Sequence, residues 1–219
     1  MTKDEVLSEI LLSSTSIHIL GSGLNVEKPA NRAIHDLSGR GWRLVPIHPK
    51  DAGSTINNIP IRKEIDDGII PEIVVLFLAP QRALDVVKQF LFRFQNSEFP
   101  LIWFQRGAKN DDAVSMLEDI GADYVVEDCI VEYILGNSLI KSTDVQTLPW
   151  YRQTKDLSQD GCSIWSAYTG DEPEIKFEGE FEWAGDLLDL EDSQHIIPRY
   201  IRSMIKQNQS LEELALSLS

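Results

Sequence analysis

Up to about Ile140, short apolar runs of the chain alternate with longer runs in which apolar residues recur every three or four positions. This alternation is typical of βαβ units around a parallel sheet. We therefore predict an α/β fold, a Rossmann-like doubly wound parallel sheet of about five strands. The predicted strands are 16–21, 43–47, 73–79, 100–104 and 123–126, and the predicted helices are 3–13, 29–39, 81–95, 110–120 and 130–139.

The helix pattern after Pro80 is the most regular one in this part of the chain. Its apolar residues form a broad stripe, which predicts a helix packed on the sheet. The stripe consists of Ala83, Leu84, Val86, Val87, Phe90, Leu91 and Phe94. Glycines follow the predicted ends of two other helices, at Gly39 and Gly121, as helix C-termini favour.

The pattern changes after residue 140, so we divide the chain into a Rossmann-like domain, residues 1–140, and an acidic C-terminal extension, residues 141–219. The extension contains three tryptophans, which are costly to expose. We therefore expect an ordered α+β segment that packs on the first domain or on another subunit. Its predicted strands are 163–168 and 175–183 and its predicted helices are 195–207 and 210–218, the last with a capping-box pattern at Ser210 and Glu213.

Charge and cysteine content limit the classes of partner. The net charge of −15 argues against binding of nucleic acid or of an anionic membrane, because both need clustered Lys and Arg. The two cysteines, Cys129 and Cys162, form neither a disulfide framework nor a zinc-site pattern.

The sequence also indicates where the protein is located. Its first residues include acids, whereas a secretory signal begins with basic residues. The longest apolar run, 73–79, is too short for a membrane span. We expect a cytoplasmic protein.

The segment Gly21-Ser22-Gly23 joins the first predicted strand to the first helix pattern of the sheet. Backbone without Cβ atoms can approach a phosphate closely, so this turn predicts a phosphate site. The match to the dinucleotide fingerprint is partial, because Val26 stands in the place of the third glycine. A tight turn without any ligand is the alternative interpretation of the turn taken alone.

The second predicted strand has no acidic residue at its end, where a nicotinamide-binding domain usually has one for the ribose hydroxyls. It is followed instead by His48 and Lys50. A basic ending indicates an additional phosphate, which would be the 2′-phosphate of NADP or the 3′-phosphate of coenzyme A (CoA). The residues alone leave both cofactors open.

Five segments in order resemble one family of proteins. The most diagnostic of them is Trp-x-Gln-x-Gly at residues 103–107. The segments are Ile19–Arg32, Gly41–Pro49, Leu76–Pro80, Ile102–Gly107 with Asn110, and Ala122–Ile130. Over about residues 14–135 the chain resembles the stand-alone CoA-binding domains, relatives of the nucleotide-binding domain of the succinyl-CoA synthetase α subunit.

This resemblance implies a CoA or acyl-CoA site at the carboxyl ends of the strands and assigns a part of the ligand to each candidate residue. Gly21, Ser22, Gly23 and Leu24 would face the pyrophosphate, with Lys28 and Arg32 adding charge nearby. His48 and Lys50 would lie near the adenosine phosphate, Pro80 would line the adenine slot, and Gln105 and Gly107 would lie closer to the pantetheine arm.

No catalytic residue and no metal site is predicted. His18 lies inside the first strand, and His35 and His195 are expected to be structural, so no histidine forms a nucleophile–base pair that the sequence supports. We interpret Cys129 as structural, with a mixed disulfide to CoA as the alternative. The acidic run 186–192 lacks the spacing of a calcium loop and predicts a solvated acidic face or a helix start.

We therefore expect a protein that binds a small nucleotide ligand, CoA or acyl-CoA, without catalysis of its own. Two alternatives stay open. One is an enzyme, either an NADP-linked oxidoreductase or an acyl-CoA-transforming enzyme that uses the extension. The other is an interaction protein that has lost its nucleotide. The extension is the candidate contact with a second subunit or a protein partner.

Overall fold

A computed structural model describes residues 3–142, 148–156 and 161–219. Within this part of the chain two compact units are found. The first comprises residues 3–22, 26–45 and 70–142, and the second comprises residues 23–25, 46–69, 148–156 and 161–219. Residues 46–69, which precede the third predicted strand, therefore cluster with the C-terminal residues.

The elements follow one another in this order: α1 (Lys3–Ser13), β1 (Ser16–Leu20), α2 (Pro29–Leu37), β2 (Arg43–Ile47), β3 (Thr55–Ile56), β4 (Ile59–Pro60), β5 (Ile73–Leu76), α3 (Pro80–Arg93), a 3₁₀ turn (Asn96–Glu98), β6 (Leu101–Phe104), α4 (Asp111–Ile120), β7 (Tyr124–Val125), α5 (Ile130–Gly136), β8 (Trp150–Asp156), β9 (Cys162–Tyr168), β10 (Glu180–Asp186), α6 (Leu187–Asp192), α7 (Ile196–Ser203) and α8 (Leu211–Ser217).

A five-stranded parallel sheet with the order β2-β1-β5-β6-β7 confirms the predicted fold class. Every residue of β1, β5 and β6 is buried, as expected for inner strands of a parallel sheet that are covered on both faces. The register places Ile73 beside Ile17 on one side and beside Leu101 on the other. His18 is 2% exposed within β1, so its predicted place in the core is confirmed.

The helices of this sheet lie where the apolar pattern predicts them. The helix α3 begins with Pro80 at a first-turn position, which suits proline because its missing N–H would have no helical partner. It buries Ala83, Leu84, Val87 and Phe90. The preceding strand β5 ends at Leu76, earlier than the predicted 79, and residues 77–79 lead into α3.

The second unit is built on an antiparallel sheet with the order β10-β8-β9 and a short hairpin, β3-β4. The predicted strand 163–168 is confirmed as β9, whereas the central strand β8 is not predicted by the sequence pattern. The prediction for 175–183 is wrong at its start, because β10 begins at Glu180. Before it, the N–H groups of Ile175 and Phe177 donate to the side-chain hydroxyls of Thr55 and Ser54, not to backbone carbonyls.

Aromatic side chains form the core of this unit. The rings of Tyr151 and Trp165 stack with centroids 5.6 Å apart, and Trp165 stacks on Trp183 at 6.0 Å. Apolar residues of α7 and α8, among them Ile201 and Leu214, belong to the same buried cluster. The C-terminal tryptophans are therefore packed within their own unit, in the α+β segment that the sequence predicts. Packing of this segment on the first domain or on another subunit stays a prediction.

The acidic run 186–192 begins a helix, which was one of its two predicted interpretations. It is not a solvated face at its start, because Asp186 and Asp189 are buried. Both carboxylates accept hydrogen bonds from Arg62, which is also buried. Separately, none of the helices described is long and apolar enough to cross a membrane.

Candidate functional site

The candidate site of the first unit lies where the chain changes direction across the sheet. From β1 the chain goes to β2 on one side and returns to β5 on the other side. In open α/β sheets, ligands bind outside the carboxyl ends of the strands at such a switch point. Gly21 and Gln105 directly follow β1 and β6, and Pro80 begins α3, the helix after β5; each of the three is a predicted site residue.

Gly21 has a backbone conformation that requires glycine. Its φ is +98°, a region that L side chains rarely adopt. A Cβ atom at this residue would also lie 2.5 Å from the carbonyl oxygen of Phe77. The backbone of Phe77 is itself fixed, because its N–H donates to the carbonyl of Leu20 at 3.0 Å. Glycine therefore allows the turn to pass close to the chain that leaves β5.

Ser22 is fully buried, and its hydroxyl donates to the carbonyl of Ala30 at 2.9 Å. The side chain of Ser22 therefore holds the turn against the beginning of α2. Two predicted basic residues accompany this helix: Lys28 precedes its first residue, and Arg32 donates to the carbonyl of Glu27 at 3.2 Å. Both basic side chains are exposed.

Gly23 and Leu24 belong to the second unit, together with the residues that follow β2. The backbone N–H of Leu24 donates to Oδ2 of Asp51 at 2.9 Å, and this oxygen lies 3.0 Å from Nδ1 of His48. A Cβ atom at Gly23 would overlap Oδ2 of Asp51. The missing side chain at residue 23 therefore makes room for a carboxylate of the same chain.

Asp51 contacts two candidate site residues, Leu24 and His48, and the sequence pattern does not predict this contact. Nicotinamide-binding domains usually have an acid at the end of the second strand, whereas here β2 ends at Ile47 and Asp51 follows only after a short turn. The description of this segment as a basic ending is therefore incomplete. His48 lies against the Asp51 carboxylate, and Lys50 is exposed. The sequence contains one signal for this contact, namely the acidic residue directly after Lys50.

Gln105 is a buried polar side chain at the carboxyl end of β6. It is 5% exposed, and its Nε2 atom has no hydrogen-bond partner among the described residues. Buried amide groups without partners are rare in folded proteins, because desolvation of the donor is then uncompensated. Gly107 follows with a φ of +79° and open space around its Cβ position. Pro80 at the start of α3 is exposed.

Trp103 fixes the strand that carries Gln105. The ring of Trp103 is fully buried, its Nε1 donates to the carbonyl of Asp128 at 3.1 Å, and it packs edge-to-face on Tyr133 at 5.5 Å.

Cys129 is half-buried at the N-terminus of α5. The nearby Arg106 forms two hydrogen bonds with Glu132, which raise the pKa of the guanidinium.

The eleven predicted site residues thus fall in both units. The first unit contains Gly21, Ser22, Lys28, Arg32, Pro80, Gln105 and Gly107, and the second contains Gly23, Leu24, His48 and Lys50. Within the first unit, the carboxyl ends of β1 and β6 bring Gly21 and Gln105 to the same edge of the sheet, and Pro80 begins the helix that follows β5 between them.

Residues 15–133, more than half of the chain, match the family described as CoA binding domain, and the chain belongs to this family. The resemblance found in the sequence is thereby confirmed. The chain is also 26% identical over 125 residues to the uncharacterized protein YneT of Bacillus subtilis (strain 168), a match that covers 57% of this chain and 88% of YneT.

Two solved structures have a similar fold. The cell-free ID.343 protein from Thermus thermophilus matches with a TM-score of 0.54 and 21% identity over 64% of this chain and all of that chain. A hypothetical protein from Pyrococcus horikoshii OT3 matches with a TM-score of 0.53 and 23% identity over 63% of this chain and 92% of that chain. At these identities the similarity shows the fold. The family match ends at residue 133, so the C-terminal extension lies outside it.

Proposed function

We propose that this protein binds CoA or an acyl-CoA at the carboxyl ends of β1, β5 and β6, and that it does so without catalysing a reaction. Membership of the CoA binding domain family supports the ligand class. The position of the glycine turn at the switch point of the sheet supports the place.

The observation that carries the proposal is the buried Nε2 atom of Gln105, which has no hydrogen-bond partner in the part of the chain that the structure describes. A buried amide donor without an acceptor costs roughly 1–3 kcal/mol, and a ligand acceptor would remove this cost. The pantetheine arm of CoA contains amide carbonyl groups, which are acceptors of this kind. Gln105 therefore fits CoA at the end of β6, where its buried amide donor has no acceptor among the described residues.

The other contacts of the proposed site follow the order of the ligand. Pyrophosphate would be bound by backbone N–H groups of the glycine turn, since the hydroxyl of Ser22 is buried and bonded to Ala30. The exposed cations of Lys28 and Arg32 would add charge to this end. His48 and Lys50 are proposed for the adenosine phosphate, Pro80 for the adenine and Gly107 for the pantetheine arm.

The absence of catalysis is proposed because two of the histidines have structural positions. His18 is buried inside β1, and Nδ1 of His195 accepts the N–H of Ile197 at the start of α7. Binding alone requires no nucleophile or base. The C-terminal extension is proposed to shape the acyl end of the site or to contact a second subunit.

Thermal unfolding with four ligands tests the proposal: CoA, dephospho-CoA, NAD and NADP. CoA at 100 times its Kd adds about 2.7 kcal/mol of stability. In a chain of this size that raises the unfolding midpoint by roughly 5–10 °C. We expect this increase with CoA and a smaller one with dephospho-CoA, since the latter lacks the 3′-phosphate proposed to lie near Lys50.

Two other results would contradict the proposal. An increase with NADP and none with CoA would instead identify the site of a nicotinamide-dependent enzyme. No increase with any of the four ligands, confirmed by titration calorimetry at high ligand concentration, would favour an interaction protein that kept the fold and lost the nucleotide.

A further inference from the structure

The carboxylate of Asp51 occupies a backbone donor of the glycine turn. Its Oδ2 accepts the N–H of Leu24 at 2.9 Å and lies 3.0 Å from Nδ1 of His48. Because a Cβ atom at residue 23 would overlap this oxygen, the carboxylate reaches the N–H only across Gly23. The absence of a side chain at Gly23 therefore determines where the Asp51 carboxylate lies.

A carboxylate oxygen and a phosphate oxygen are the same kind of partner for an N–H group, an anionic acceptor that forms a short and strong hydrogen bond. One N–H forms one such bond well. A pyrophosphate placed beside an ionised carboxylate would in addition be repelled by it. The two anions therefore exclude each other at Leu24.

We propose that Asp51 is a competitor built into the chain, which holds the Leu24 N–H in the free protein and leaves it when a ligand's pyrophosphate binds. This inference rests on the proposed function, since it concerns the phosphate part of that site. It makes Asp51 a residue that weakens the binding of CoA and thereby sets the ligand concentration at which the protein is occupied.

The contact is built so that it can open. The side chain of Asp51 is 28% exposed, so its carboxylate already contacts water and remains hydrated when it leaves the Leu24 N–H. The backbone around it is held independently, because the N–H of Asp51 donates to the carbonyl of His48 and its carbonyl accepts the N–H of Ser54. Asp189 in the same unit is a contrast, because its carboxylate is buried against Arg62.

Titration calorimetry with CoA on Asp51→Ala, Asp51→Asn and Glu64→Gln tests the inference. If Asp51 holds the N–H in nine molecules of ten, its removal in Asp51→Ala increases the affinity about ten-fold. Asp51→Asn keeps an acceptor near Leu24 without the charge, so we expect a smaller increase. Glu64→Gln removes one exposed negative charge from the same unit and serves as the matched control, with an affinity close to that of the wild type.

A measurement without ligand supplements the titration. We expect the Leu24 amide to exchange its hydrogen faster in Asp51→Ala than in the wild-type protein, because its acceptor is gone. Equal exchange in both proteins would contradict the contact itself. Far-ultraviolet circular dichroism of each variant shows whether the fold is kept, and Asp51→Asn carries the test if Asp51→Ala does not fold.

The results separate this inference from the proposed function. If the wild type binds CoA and Asp51→Ala binds it equally, the competitor is refuted and the CoA site stands. Weaker binding by Asp51→Ala would refute it as well and would make Asp51 a ligand contact, for example to ribose hydroxyls. An equal gain in Glu64→Gln would refute it in favour of a general charge effect. Tighter binding by Asp51→Ala than by a wild type that also binds CoA would support it, and binding by none of the proteins would refute both proposals.

Discussion

The guanidinium of Arg62 holds one carboxylate oxygen of Asp189 with two donors, Nε at 2.9 Å and Nη2 at 2.7 Å. Nη2 also donates to Asp186 at 2.8 Å, and Nη1 donates to the carbonyl of Pro60 at 2.6 Å. Arg62 belongs to the segment 46–69, whereas both carboxylates lie at the junction of β10 and α6. Within the second unit this buried group joins two segments that are far apart in sequence.

Replacement of Arg62 by Leu should strongly destabilise the protein. It leaves two buried carboxylates without their cation, and breaking a buried ion pair in this way costs about 3–5 kcal/mol. Urea denaturation should show this loss as a lower midpoint. The matched control is Arg199→Leu, because Arg199 is an exposed arginine of the same unit. Equal midpoints for the two variants would show that the buried group does not stabilise the fold.

Replacement of Gly21 by Ala should cost more than the same change at Gly39. Both glycines have a positive φ, +98° at Gly21 and +77° at Gly39. In each variant the left-handed conformation of the new alanine should lower the free energy of unfolding by about 1–2 kcal/mol. Only at Gly21 does the new Cβ also meet a backbone atom, the carbonyl oxygen of Phe77, whereas nothing lies within 4 Å at Gly39. Thermal unfolding of both variants checks the difference, and similar midpoints would mean that the turn relaxes at no cost.

Gln105→Leu should separate binding from stability. The substitution removes a buried donor without a partner among residues 3–142, 148–156 and 161–219, and it keeps much of the side-chain volume. We therefore expect an unfolding midpoint equal to or above that of the wild type. The affinity for CoA should fall about ten-fold or more, because a ligand acceptor loses its donor. Gln89→Leu, on an exposed position of α3, is the control. Unchanged affinity in Gln105→Leu would remove this residue from the site.

Tyr151→Phe should preserve or increase stability at neutral pH, since the Tyr151 hydroxyl is buried and has no partner among the described residues. Burial, reinforced by Glu212 and Asp186, raises the pKa of Tyr151 from 10.0 to about 12. The folded state therefore favours the neutral phenol, so this contribution to stability is complete below pH 10 and is lost as the pH rises towards 12. The loss of stability between pH 10 and 12 should therefore be smaller in Tyr151→Phe than in the wild type. It should be unchanged in Tyr200→Phe, the control, because Tyr200 is exposed. Unfolding midpoints measured from pH 8 to 11 test both variants.

The sequence predicts the first unit well because its apolar runs have a clear period. The buried strands β1, β5 and β6 are continuous apolar segments, and α3 has one apolar stripe. Local chemistry is equally readable, as the capping box of Ser210 and Glu213 at the start of α8 shows. By contrast, β8 mixes buried Trp150 and Tyr151 with polar residues and gives no regular period.

The sequence by itself determined the α/β sheet, the glycine turn after β1 and the family to which the chain belongs, because these depend on periodicity and on motifs of neighbouring residues. The tertiary structure decided which acids are buried and which donors are used. Arg62 lies opposite carboxylates more than a hundred residues away. Asp51 reaches the Leu24 N–H through the space above Gly23. Such contacts follow from how distant segments pack, and no local pattern in the chain encodes the distance between them.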